Sequence, residues 1–258
     1  MDDAHIFCAR DQLESEIESL LKFVSRVYTD VFDFDYSFEL STRPKKFMGD
    51  KKDWDFSEKV LEKVLKKSKI KYKVKKGEGA FYGPKIDVHI RDSLGRNWQL
   101  ATIQLDMNMP KRFDIVYTGK DNKNYRPLVI HRAIFGSLER FVGVLLEHTN
   151  GRLPTWLSPI QVRVLSFTDR QAKYAGELVK KLEKQIPDLR IDTDFRSTTI
   201  PSKVKDAELM RISYIIVVGD KEQKSKTMAV RTGGGKVKFG VKPDVFIKNL
   251  QKEINDKA

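Results

Sequence analysis

Apolar positions along the chain fall into alternating helical and extended rhythms. From Asp11 to Phe32 the spacing is helical, with Leu13, Ile17, Leu20, Val24, Val27 and Val31 on one stripe. Asp11 and Glu14 read as a capping pair for this helix. FDFDYSFEL (32–40) then alternates strictly, which predicts a half-buried strand with Phe32, Phe34, Tyr36, Phe38 and Leu40 on one face. A polar loop over 41–53 precedes a short helix that turns Val60, Leu61, Val64 and Leu65 inward. IKYKVKK (70–76) alternates again. Ile86, Val88 and Ile90 mark a further strand, DSLG (92–95) a turn, and 97–105 the return strand of a hairpin. With the apolar run PLVIHRAI (127–134) beside it, the first part of the chain predicts a mainly antiparallel sheet. A helix stripe of Leu138, Phe141, Val142 and Leu145 closes it.

LPTWLSP (153–159) has two prolines and no periodicity, and reads as a linker. Beyond it strands and helices alternate: strand 160–167, helix 169–186 opened by a Thr168/Gln171 capping box, strand 190–194, and a helix near 202–211. Strands at 214–219 and 227–232 and a helix from about 243 to 255 complete the pattern of a small α/β domain. The expected domains are therefore 1–158 and 159–258. The fold class is α/β: an antiparallel sheet with flanking helices, then the small α/β unit.

Charge adds to this picture. The formal net charge is +13, and residues 159–258 hold 21 Lys+Arg against 13 Asp+Glu. A basic excess suits polyanion partners, nucleic acid first, and equally suits lysine-rich solvated helix faces. The single cysteine, Cys8, excludes an internal disulfide and fits a reducing compartment, so the expected location is cytoplasmic. No apolar run has the length of a membrane span.

Four places carry candidate chemistry. His5 and His131 could converge as zinc ligands, or be polar residues satisfied by neighbours. Cys8, at an odd strand offset from His5, faces away from it. In GEGAFYGPKID (77–87), three glycines let backbone approach a ligand, and Pro84 sets up Lys85 to meet a phosphate or carboxylate; the pattern also fits an ordinary tight turn. Gln104 lies among apolar residues in a strand, where its amide must either bond structural partners or face a polar ligand. Arg140 follows the break at Gly136–Ser137; it could stack on a base or hold phosphate, or pair with Glu139.

Taken in order, DDAHIF, LSTRP, GAFYGPKID, TIQLD, IHRAIFGSLERF, PTWLSP and GDKE…AVRT resemble threonyl-tRNA synthetase, a class II aminoacyl-tRNA synthetase, over essentially the whole chain. The resemblance implies a catalytic domain followed by an anticodon-binding domain. It implies an enzyme that forms threonyl-adenylate from threonine and ATP with Mg2+, then moves threonine to the 3′ end of tRNA(Thr). It implies a Zn2+ ion held by His5 and His131, with a third ligand, a cysteine, lying upstream in the family. It assigns Asp3, Tyr82 and Gln104 to threonine, Lys85 to the reacting carboxylate and phosphate, and Gln99 and Arg140 to ATP. Lys85 and Arg140 are the expected catalytic pair. Glu222 and Arg231 fall where the family reads anticodon bases.

The resemblance also answers why the chain opens on MDDAHIF. That stretch is similar to the second strand of the class II motif 2 hairpin, with Met1 where the family has glutamine. The first strand of that hairpin, the motif that builds the homodimer interface and the editing domain all lie upstream in the family. The expectation is a C-terminal portion with little or no aminoacylation activity by itself, unless a complementary N-terminal part restores it. The alternative is an inactive, synthetase-derived tRNA-binding or regulatory module. Ser197 and Pro201 depart from the family's usual IGxKIRE stretch, and Leu100-Ala101 replaces its frequent Cys-Gly.

Overall fold

The computed structural model describes residues 1–257, which form two compact units, Met1–His148 and a second that begins at Thr149. The stretch 153–159, expected as a linker, thus belongs to the second unit.

In the first unit β1 (Ala4–Cys8) leads into α1 (Leu13–Arg26), β2 (Tyr36–Ser41) and α2 (Lys51–Lys67). Then come β3 (Tyr72–Lys75), β4 (Lys85–Arg91) and β5 (Asn97–Asp106). A short α3 (Met109–Arg112) and the small hairpin β6 (Tyr117–Thr118) and β7 (Asn124–Tyr125) precede β8 (Leu128–Ala133) and α4 (Leu138–His148). The main sheet runs β1-β8-β5-β4-β2-β3 and is antiparallel except for the parallel β2–β3 pair. One face is apolar. Ile86, Val88 and Ile90 of β4 and Ala101, Ile103 and Leu105 of β5 are buried, and α1 packs against β5 and α2. The opposite face, carrying the odd positions of β4, is polar.

Two expectations for this unit are corrected. No side chain caps α1 in the way Asp11/Glu14 suggested; Gln12 instead accepts from the Ala9 N–H at 2.9 Å. The strand expected from Phe32 begins only at Tyr36. Val27–Val31 forms a π-helical turn, Asp33 has φ 53°, and the Phe34 N–H returns to the Tyr28 carbonyl. Phe32 and Phe34 stack at 5.7 Å and meet Phe141 at 5.1 and 6.2 Å. Their alternation reflects an aromatic cluster under α4, not a pleat.

The second unit contains β9 (Val162–Ser166), α5 (Ala172–Gln185), β10 (Ile191–Asp194), α6 (Ile200–Leu209) and β11 (Tyr214–Val218). It continues with α7 (Asp220–Ser225), β12 (Met228–Thr232), β13 (Val237–Val241) and α8 (Pro243–Asp256). Strand order is β10-β9-β11-β12-β13, with the first three parallel and the last two antiparallel. The Thr168/Gln171 capping box is present. Residues of α5 and α8 pack with Val162, Val164, Ile216 and Val218 in one core. Leu165 and Ile215 face the other side of the sheet and cluster with Ala207 of α6. The edge strand β13 and the helix α7 were not legible in the sequence.

Candidate active site and RNA-facing unit

The polar face of the first sheet holds a single transverse row. His5 pairs with His131, His131 with Gln104, Gln104 with Lys85 and Lys85 with Ser41 in successive registers. Directly opposed residues share a face, so four side chains singled out in the sequence project together from β1, β8, β5 and β4.

At one end the His5 and His131 rings meet edge to face, centroids 4.5 Å apart. His131 is buried, its Nε2 lies 3.3 Å from the Asp106 carboxylate, and its ring touches that of Tyr82 at 5.6 Å. Burial opposes ionisation of Asp106, but hydrogen bonds from His131 and from the N–H groups of Met109 and Asn108 outweigh it and lower its pKa. Asp3, two residues before His5 on the same face, lies 3.7 Å from His5 Nε2. Cys8 is buried, and burial together with Glu16 and Asp11 pushes its thiol up to about 11. It stays out of the pair, as its strand offset predicts.

A zinc ion takes three or four protein ligands. The two imidazoles, with Asp106 as an orienting partner of one, are the right chemistry. Among the described residues, however, no group of three His, Cys, Asp or Glu side chains is placed to hold a metal. The residues present therefore do not complete a zinc site by themselves.

In the middle of the row Tyr82 Oη donates to Gln104 Oε1 at 2.8 Å, and Gln104 Nε2 donates to the Gly83 carbonyl at 3.4 Å. The amide thus has structural partners, and with Tyr82 it forms one polar wall. Burial, then Asp106 and Asp3, raise the Tyr82 pKa, so its hydroxyl stays a donor. Gly83 is required here: a Cβ would stand 2.0 Å from the Leu105 carbonyl oxygen. That close approach lets the loop 79–84 lie over β5 and aims Tyr82.

Lys85 Nζ sits 2.7 Å from Asp87 Oδ2, and Asp87 is buried. The same carboxylate accepts from Ser41 Oγ (2.8 Å), Gln99 Nε2 (2.5 Å) and Thr102 Oγ1 (3.2 Å). Asp87 is the hub that fixes Lys85 and Gln99, and sequence reading missed it. Arg140 is exposed; it does not pair with Glu139, which bonds Ser137. Its Nη1 donates to the Gln99 carbonyl at 3.1 Å, and its guanidinium lies 5.8 Å from the Trp98 ring centre. Gln99 and Arg140, separate in sequence, are neighbours.

Asp2 was also missed. Its carboxylate accepts from the N–H groups of Ile134 (2.8 Å), Phe135 (3.0 Å) and Gly136 (3.0 Å). It thereby pins the turn that launches α4 and Arg140. Only the count of those three donors, far along the chain, could have signalled it.

In the second unit Glu222 Oε2 accepts from the Gly219 N–H at 3.0 Å, at the carboxyl end of β11. Arg231 pairs in register with Ile215, near the start of β11, and its Nη1 contacts Glu208 at 3.2 Å. The two side chains thus sit towards opposite ends of that strand. Lys203 was not singled out either: it is 1% exposed and donates to the Ser166 carbonyl at 2.9 Å.

Residues 1–149 match the model of the tRNA synthetase class II core domain (G, H, P, S and T), and residues 161–253 that of the anticodon binding domain. The chain belongs to the class II tRNA synthetases. Among these synthetases it is similar to threonine–tRNA ligase of Desulfatibacillum aliphaticivorans, with 48% identity over 98% of this chain and 39% of the relative. It is 45% identical to that of Clostridium novyi, over 100% of this chain and 40% of the relative. The chain thus spans about two fifths of the length of these synthetases. A crystal structure of the RNA binding domain of threonyl-tRNA synthetase from Cryptosporidium parvum Iowa II superposes with a TM-score of 0.91. It is 36% identical and covers 98% of this chain and 63% of that one.

Proposed function

We propose that the first unit carries the threonine- and ATP-facing wall of a threonine–tRNA ligase, and that the second binds tRNA(Thr) at its anticodon. The observation that carries this reading is the row His5–His131–Gln104–Lys85 on one sheet face. In the reaction a threonine carboxylate oxygen attacks the α-phosphorus of ATP and pyrophosphate leaves. A terminal ribose hydroxyl of tRNA then attacks the activated carbonyl and AMP leaves. Lys85, fixed by Asp87, supplies a cation where negative charge builds on the α-phosphate. Arg140 offers its guanidinium face to adenine, beside Gln99. Tyr82, Gln104 and Asp3 present polar atoms to the amino acid. A site that binds the threonine hydroxyl rejects valine, which would leave buried polar groups unpaired. Mg2+ would accompany the ATP phosphates.

Zinc enters no step here, because among the described residues only His5 and His131 are placed as candidate ligands. A complementary N-terminal synthetase part is the proposed source of the third. β1 is an edge strand, paired only with β8, and so has a free side for an added strand. The homodimer of the full enzyme and a cytoplasmic location belong to the same proposal. No helix among the described residues is long and apolar enough to cross a membrane.

Threonine-dependent ATP–pyrophosphate exchange tests this reading. The chain alone should show little or none. Adding the N-terminal part of a similar ligase should restore it for threonine and not for valine. Failure to restore exchange would favour the second reading, a tRNA-binding module, which rests on the second unit having its own core and its own family match.

A further inference from the structure

The edge of the second sheet carries a feature that anticodon reading by Glu222 and Arg231 does not use. Besides Arg231, residues 226–243 contain four cations, Lys226, Lys236, Lys238 and Lys242, and no acid. Within this stretch β13 is exposed at four of its five positions, and only Val241 packs on the core. Phe239 is 77% exposed. The register between β12 and β13 shifts between Met228 and Val230, and Gly240 has φ 66°. This is a bulge, a device that re-aims a side chain at a sheet edge. It pairs Val230 with Lys238 and Arg231 with Val237. Alternation then sets Phe239 on the face that bears Arg231, while Lys236 and Lys238 fall on the opposite face with core-facing Val230, so these lysines reach Phe239's surroundings only around the uncovered edge. Lys236, Lys238 and Lys242 are exposed and, among the described residues, have no carboxylate partner.

We infer that β13 is an RNA-contact strip: Phe239 stacks on an unpaired nucleobase of the bound tRNA, and Lys236, Lys238 and Lys242 meet the adjoining phosphates. An aromatic face among unneutralised lysines is the combination that single-stranded nucleic acid selects, since every base has a π-face and every linkage a negative charge. A protein partner docking on the same edge would call for acidic complement but no base stacking. The inference rests on the tRNA-binding reading of this unit and extends it beyond Arg231.

The test is tRNA(Thr) binding by the whole chain across a salt series, for wild type, Phe239→Ala, Phe239→Trp, the Lys238→Gln/Lys242→Gln pair and Arg231→Ala. Phe239→Ala should weaken binding roughly 5- to 100-fold with the salt slope unchanged, and Phe239→Trp should retain it. The lysine pair should lower the salt slope by roughly 0.7 per lost contact. Because Phe239 is exposed, its variants should keep the wild-type melting temperature. If Arg231→Ala weakens binding while the Phe239 and lysine variants do not, the strip is refuted and the tRNA reading stands. If the wild-type chain binds no tRNA, both fall. If Phe239→Ala instead dissolves a self-association seen by sedimentation, the edge is a contact between copies and the inference is overturned.

Discussion

His5 and His131 face each other across one antiparallel register pair, their rings 4.5 Å apart, with Asp106 3.3 Å behind His131. A histidine that ligates a metal usually has its other nitrogen held by such a carboxylate, whose loss weakens metal binding about 10- to 100-fold. Zinc titration followed by competition with a chromogenic chelator should therefore show weak binding by the chain. His131→Ala should abolish it, and Asp106→Asn should weaken it by about that factor. Unchanged affinity in His131→Ala would remove the histidine pair from any metal role.

Asp87 holds Lys85 and three further donors in a buried position. Removing one partner of such a pair leaves the other charge uncompensated, at a cost of about 3–5 kcal/mol. Asp87→Ala should lose stability of that order in urea unfolding. Asp87→Asn, which keeps an acceptor, should lose less. If Lys85 acts on phosphate, Lys85→Met should spare stability more than Asp87→Ala and still weaken ATP binding.

Asp2 accepts three backbone hydrogen bonds from 134–136. Leaving these donors unpaired costs about 1–3 kcal/mol. Asp2→Ala should shift the urea midpoint accordingly. It should also raise hydrogen exchange at residues 134–136 more than in α1, whereas uniform exchange would count against a local pin.

Asp92 gives a pH signature. Burial alone would raise its pKa, but hydrogen bonds from Trp98, from the Arg96 side chain and from the N–H groups of Arg96 and Leu94 bring it down to about 2. An unfolded aspartate titrates near about 3.9. The folded pKa is the lower one, so the contribution is full above about pH 5, declines as pH falls through 4, and is gone below about 2. Urea unfolding of wild type and Asp92→Asn should differ most near neutral pH and converge as pH approaches 2.

What the sequence revealed and concealed follows from which interactions are local. KIDVHIR and ATIQLD alternate because one face of each strand is core, and that made the site face legible. The irregularity between Val88 and His89, which sets where Gln99 falls, is marked only by the adjacent buried pair Leu100–Ala101, where the alternation of β5 breaks. Asp87 looked like an ordinary strand carboxylate because Ser41, Gln99 and Thr102 arrive from other strands. Asp2 finds its donors on residues 132 to 134 positions away. Phe32 and Phe34 mimic a strand because tertiary aromatic contacts happened to alternate. β13 gave no signal because it has almost no buried side, the same property that leaves Phe239 available.

The position of β1 at the rim of its sheet has a practical consequence. Its outward amides and carbonyls are an unfinished ladder, and Phe7 beside them is 52% exposed. Such a rim recruits whatever extended peptide is at hand. Preparations of this chain should clump more readily as they are concentrated, and co-producing a cognate strand should keep them dispersed.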